Sequence, residues 1–242
     1  MLAFLYGLVQ GLKTVYSITR YMRIFVIHYP PLVQRKRDLL AQFQEFGIDA
    51  EWVENYNKDD PFVIWLKKLT NTNLPNSHLS AFVKRLFVYK KMIDEDINEA
   101  IIFEDDVVLH PKFKEFADPV CFNYLRLGVG INEGEIEYSS STCHKLSNPG
   151  GGEAVWVTQN FARRFLDDLN FEYSHDIVEF AHLKSTIWLL PVCWQTSLRE
   201  SGASSSCDAY DSRKWVVYGS VYKYLPKWKF DDLLKLYSDE LV

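Results

Sequence analysis

Short apolar runs of strand length alternate with segments of helical period through most of this chain. Arg23-Ile-Phe-Val-Ile-His28 reads as a first strand, closed by the breaker Pro30-Pro31. Leu32 to Phe46 follows at helical spacing, with Leu32, Leu39, Leu40, Phe43 and Phe46 on the inward side and Gly47 as the stop. Asp49 to Glu54 is a second strand. A β-α-β opening predicts a parallel sheet covered by helices.

Ser77 to Asp96 is the next helix, with Leu79, Phe82, Val83, Leu86, Tyr89, Lys90 and Ile93 sharing a face. It leads into Ala100-Ile-Ile-Phe-Glu-Asp-Asp-Val-Val-Leu109, an apolar run interrupted by three adjacent carboxylates, Glu104, Asp105 and Asp106. Such a run predicts a buried central strand whose end presents the acids where open α/β sheets bind ligands. Neighbouring carboxylates repel, and a hard divalent cation relieves that repulsion. A solvated acidic turn is the other reading of these residues. The two-residue period of an extended segment puts Glu104 and Asp106 on one side and Asp105 on the other, unless a turn regroups them.

Downstream, Cys121 to Leu127 reads as a strand ended by Gly128, residues 130–150 as a polar Ser/Gly/Asn-rich loop, and Glu153 to Thr158 as a strand. Thr158 caps a helix over Asn160 to Leu169. A short helix around Asp176 to Lys184 and a strand from Thr186 to Leu190 before Pro191 complete the pattern. The 242 residues suit one full α/β domain, and 48% hydrophobic content supplies its core. A net charge of −5 argues against a nucleic-acid-binding face. Cys121, Cys143, Cys193 and Cys207 form no C-x-x-C pair, and no N-x-[ST] acceptor occurs, so a cytoplasmic setting is expected. Residues 1–21 are apolar at helical spacing, but Gln10, Lys13 and Arg20 interrupt a membrane span, and no signal-peptide pattern is present. They read as an amphipathic helical extension that packs on the domain, self-associates or lies on a membrane. Residues 207–242 alternate aromatics with lysines. They are expected to pack inward, with peripheral membrane contact as the alternative.

Four stretches in this order resemble glycosyltransferase family 25, which includes lipooligosaccharide and collagen galactosyltransferases. They are Ile24-Phe-Val-Ile-His-Tyr-Pro-Pro-Leu-Val-Gln-Arg35; the helix from Leu79 running to Ile101-Ile-Phe-Glu-Asp-Asp-Val-Val-Leu109; Phe122-Asn-Tyr-Leu-Arg-Leu-Gly128; and Gly152-Glu-Ala-Val-Trp-Val-Thr158 with its helix, followed by His175-Asp176 and the strand before Pro191. Together they span residues 22–206. Two departures stand out: His28 replaces the family's usual Asn, and Lys84-Arg85 replaces a Ser-His pair.

The resemblance implies an α/β fold of GT-A type, with a mixed, mostly parallel sheet flanked by helices. It implies a metal-dependent inverting transferase that moves a hexose, galactose before glucose, from a UDP-sugar to a glycan, lipid-linked saccharide or protein hydroxyl. Mn²⁺ or Mg²⁺ would sit on Glu104 and Asp106. His28, Arg35, Lys84, Arg85 and Asp105 would line the donor site, and Asp176 or His175 would act as base. Asp176 equally suits a helix N-cap, and Arg35 a surface arginine. Trp156 and Trp194 offer faces to a sugar ring but are more ordinarily core residues, and Gly150-Gly151-Gly152 lets backbone approach a sugar or simply makes a mobile loop. A non-catalytic scaffold of the same fold is the main rival, and a metal-dependent phosphoryl-transfer or hydrolytic enzyme the second.

Overall fold

The structure, a computed structural model, describes residues 22–115, 122–129, 143–146, 153–171, 178, 183, 187–195 and 227–241. Strand β1 (Arg23–Ile27) leads to helix α1 (Val33–Phe46), strand β2 (Glu51–Val53), and helices α2 (Pro61–Thr70) and α3 (Asn76–Asp94). Strands β3 (Glu99–Glu104) and β4 (Val107–Leu109) follow, then a 3-10 turn at Pro111–Glu115 and strands β5 (Tyr124–Val129) and β6 (His144–Leu146). Strand β7 (Ala154–Thr158), helix α4 (Gln159–Leu166), strand β8 (Ile187–Gln195) and helix α5 (Phe230–Glu240) complete the described elements.

The strands form one mixed sheet in the order β2-β1-β3-β7-β5-β8-β4, with β6 also on β8. Pairings β1–β2, β1–β3 and β5–β8 are parallel and the others antiparallel, so β1, β2, β3, β5 and β8 all run the same way. Alternate residues of each central strand enter opposite cores. Phe25, Ile27 and Ile102 pack beneath α2, α3, α4 and α5, whereas Ile24, Val26, Ile101 and Phe103 pack against Leu39 and Phe43 of α1. Burial on both faces explains the unbroken apolar runs of β1 and β3, each large side chain contributing roughly 1.5–3 kcal/mol. Trp228, Phe230, Leu233 and Tyr237 join the first of these cores. The N-terminal extension, residues 130–142 and 147–152, and residues 172–177 lie outside the described residues, whereas His144–Leu146, expected within the 130–150 loop, form strand β6 on β8.

Several boundaries depart from the sequence expectations. Gly47 does stop α1, in the left-handed region at φ 68°, where glycine carries no Cβ penalty. Leu40, expected inside, is 44% exposed. Gly128 does not end β5 but lies within it. Pro191, expected after a strand, lies inside β8, where the β5–β8 register slips between Arg126↔Leu189 and Gly128↔Cys193. A bulge of this kind tolerates a residue without an N–H. Helix α2 was not anticipated at all, although Asp60 caps it by accepting from Phe62 N at 2.9 Å and Pro61 sits at its first position.

Candidate functional site

The site forms where parallel strands β1 and β3 end together. In-register pairing sets Ile27 beside Glu104, so the residues following each strand emerge side by side. Asp105 and Asp106 make the turn between β3 and β4. On the far side of that turn β4 is secured by α1: Gln42 Oε1 accepts from Leu109 N at 2.8 Å, and its Nε2 donates to Val107 O at 3.3 Å. A cavity of about 460 Å³ opens here. Its walls are the end of β1 (His28, Tyr29), the start of α1 (Leu32, Arg35), the first turns of α3 (Asn76, Ser77, Ser80, Ala81, Lys84), Lys58 and all three acids. The turn thus regroups the carboxylates that a straight strand would have divided.

The three acids are not equivalent. Asp105 is held by the protein: His28 Nδ1 donates to Oδ2 at 2.8 Å, Tyr29 N to the same oxygen at 3.2 Å, and Arg35 to Oδ1 at 3.0 Å. Burial pushes its carboxyl up, but the bonds from His28 and Arg35 outweigh this and leave it below the usual carboxylate range. Glu104 is shifted the other way, upward, by burial and then by the charge of Asp106, with Glu153 and Asp105 adding to the rise against Arg85. Arg85 lies 3.8 Å from Glu104, and Arg35 lies 3.6 Å from Asp106. Lys84 is buried at the cavity floor and donates to the His28 carbonyl and to Asn57 Oδ1. Desolvation lowers its pKa to about 8, against the pull of Asp105, Glu54 and Asp60.

Behind Glu104 a second charged pair is buried. The Glu104 N–H donates to the Glu153 carbonyl at 2.7 Å, and the Glu153 side chain, fully buried, lies 3.7 Å from equally buried Arg126. Neither residue stood out in the sequence, since only the long-range pairing of β3, β7 and β5 assembles them. Tyr29, Asn57, Lys58 and Ser80 were also missed; their one signal was proximity to a strand end or helix start.

Of the residues expected at the site, His28, Arg35, Lys84, Glu104, Asp105 and Asp106 line the cavity, and Arg85 reaches it through Glu104. The His28 and Arg35 side chains are engaged with carboxylates rather than open to a ligand. Trp156 is 1% exposed and belongs to the core. His175, Asp176, Gly150 to Gly152 and the side chain of Trp194 lie outside the described residues.

Among the described residues no group of three His, Cys, Asp or Glu side chains gathers as metal donors. A pair suffices for Mg²⁺, which is commonly held by one or two carboxylates together with substrate phosphates. Glu104 and Asp106 fit that role: both line the cavity, and each raises the cost of charge on the other. Among the described residues no helix is long and apolar enough to cross a membrane.

Residues 22–129, from β1 through β5, match the family model described as glycosyltransferase family 25 (LPS biosynthesis protein). Comparison with curated proteins gave no match. Among solved structures, one described as a glycosyltransferase involved in the glycosylation of the major capsid of PBCV-1 is 12% identical, covering 85% of this chain and 77% of that one at a TM-score of 0.32.

Proposed function

Because residues 22–129 match the model of glycosyltransferase family 25, we propose that the chain transfers a hexose, galactose in the first instance, from a UDP-sugar to a hydroxyl group with inversion. The acceptor would be a glycan, a lipid-linked saccharide or a protein. One observation carries the reading: three carboxylates and the cations Arg35, Lys58 and Lys84 line a single cavity at the ends of parallel strands. That arrangement suits a nucleoside diphosphate and its counter-ion.

Glu104 and Asp106 would hold Mn²⁺ or Mg²⁺, which when bound stabilises negative charge on a leaving diphosphate. Asp105 orders the turn through His28, Tyr29 and Arg35. Asn76 and Ser77 line the cavity at the start of α3, where the N–H groups of a first helical turn would suit a phosphate. Asp176, or His175 beside it, is proposed as the base that takes the acceptor proton. Fold-level analogy contributes to the choice of reaction, whereas the acids and their setting support the metal-nucleotide chemistry.

Calorimetric titration with UDP-galactose and UDP-glucose, in Mn²⁺ and in EDTA, tests this. Binding of one donor only with Mn²⁺ is expected, and Asp106→Ala should abolish it while the protein stays folded. Undiminished binding by a folded Asp106→Ala chain refutes the metal assignment. Absence of any binding by the wild-type protein favours a non-catalytic scaffold, and release of nucleotide without an acceptor favours a hydrolase.

A further inference from the structure

His28 and Lys84, on the end of β1 and on α3, touch each other. Lys84 Nζ donates to the His28 backbone carbonyl and, at 2.8 Å, to Asn57 Oδ1. The His28 ring then donates to Asp105. One continuous set of contacts therefore runs from the β2–α2 loop, through the end of β1, to the acid turn.

The loop end of this chain of contacts is strained. Tyr56 has a φ of 58°, a region that a bulky residue adopts only when its surroundings impose it. Here Tyr56 is stacked on Phe87 at 3.8 Å and 5°, and Ser80 Oγ donates to its carbonyl at 2.7 Å. Asn57 is thereby presented to Lys84. A lysine buried this deeply is costly unless its hydrogen-bonding partners compensate; one of its partners, His28, lines the cavity, and the other, Asn57, adjoins the lining residue Lys58.

We propose that Lys84 and His28 act together as positioning residues, tying the strained Tyr56–Asn57 loop to the acid turn and fixing the Asp105 carboxylate, and with it the placement of Glu104 and Asp106 at the cavity. This inference rests on the metal-nucleotide reading of the cavity and deepens it. The His28 side chain is 1% exposed and its ring meets Trp52 edge-on at 5.4 Å, so it acts through Asp105 rather than on a substrate. The geometry also identifies a replacement. Asparagine carries its amide nitrogen one bond from Cγ, as histidine carries Nδ1, whereas glutamine places it one atom further out.

The test uses the full chain and its His28→Asn, His28→Gln and Lys84→Met variants, titrated calorimetrically with Mn²⁺ alone and with Mn²⁺ plus UDP. Melting temperatures are recorded in parallel. His28→Asn should keep Mn²⁺ affinity within about threefold, whereas His28→Gln and Lys84→Met should weaken it about tenfold or more, the range seen when outer-shell partners are lost. Both His28 variants lose the Trp52 contact, so a packing role would lower their melting temperatures and move their Mn²⁺ affinities alike. Equal weakening by Asn and Gln, or none by either, overturns the proposal. The nitrogen signals of the His28 ring, recorded without metal, separate this inference from the functional reading. If wild-type protein takes up no Mn²⁺ the metal reading fails. A ring protonated at Nδ1 would still support the clamp, and a neutral ring protonated only at Nε2 would overturn it.

Discussion

Replacing Gly128 by alanine should destabilise the protein by about 3 kcal/mol, although alanine is the better strand residue by roughly 0.5–1 kcal/mol. The cost comes from Glu153. A Cβ on residue 128 would stand 2.5 Å from its Oε1, 2.6 Å from its Cγ and 2.7 Å from its Cδ. Contacts this short must be relieved by movement, and the Glu153 side chain is fully buried beside Arg126. Overpacking of a filled core costs about 1–3 kcal/mol. Drawing Glu153 away from Arg126 adds part of the roughly 3–5 kcal/mol that an uncompensated buried charge costs. The summed penalty exceeds the propensity gain, and at about 2–4 °C per kcal/mol it lowers the melting temperature by roughly 6–12 °C. Urea unfolding followed by tryptophan fluorescence measures it. The same substitution in a Glu153→Ala background should cost nothing or stabilise slightly, because the obstructing atoms are gone. Wild-type stability for Gly128→Ala, or an equal loss in both backgrounds, refutes the reasoning.

Other predictions concern titration, capping and reactivity. Lys84 has a folded pKa of about 8, below its ordinary 10.5, so between those values the unfolded chain holds a proton that the folded chain has released. Stability contributed by this group therefore rises with pH across that window, by at most roughly 3 kcal/mol. A difference curve of unfolding free energy against pH between wild type and Lys84→Met should show the rise, and a flat difference refutes it. Thr158 Oγ1 accepts from Phe161 N at the start of α4; Thr158→Ala should cost about 1 kcal/mol by urea unfolding, and no change would mean that the cap is idle. Cys193 is buried, its Sγ lies 3.1 Å from the Leu127 carbonyl, and burial pushes its thiol well up. Peptide mapping after treatment with a thiol reagent should find it modified only in unfolded protein, whereas half-buried Cys143 reacts in the native state.

The parts of the site legible in the sequence were those set by local pattern. The apolar run before Glu104 announced a strand buried on both faces, and three acids at its end could hardly lie anywhere but at the sheet edge. Gly47 and Thr158 were readable because a helix terminus demands a particular backbone or side-chain group within a few residues. The division of labour among the acids was not readable, because it depends on His28 and Arg35, some seventy residues earlier, arriving at Asp105. Gly128 misled because a glycine spared for a neighbour's side chain looks the same in sequence as one that ends a strand. Leu40 misled for a different reason: α1 buries a narrow stripe of Leu39 and Phe43, so a leucine one position away already faces solvent. The α2 signal is also local, Asp60-Pro61 ahead of the apolar run Phe62 to Leu66.

Helix α3 has a consequence for how this protein can change. Along its 19 residues only Asp94 is truly exposed, and its first turns form a cavity wall while its middle fills the core. A variant on α3 is therefore judged twice, for folding and for ligand. The rest of the lining is under less constraint: Tyr29 and Leu32 are half-buried, as are Asn76, Ser77 and Ala81 at the start of α3, and Lys58 is exposed. Drift in substrate preference should accumulate there first. A mutational scan selecting for altered ligand preference would find its tolerated solutions around the β1–α1 turn, Lys58 and the start of α3, with the buried middle of α3 nearly silent.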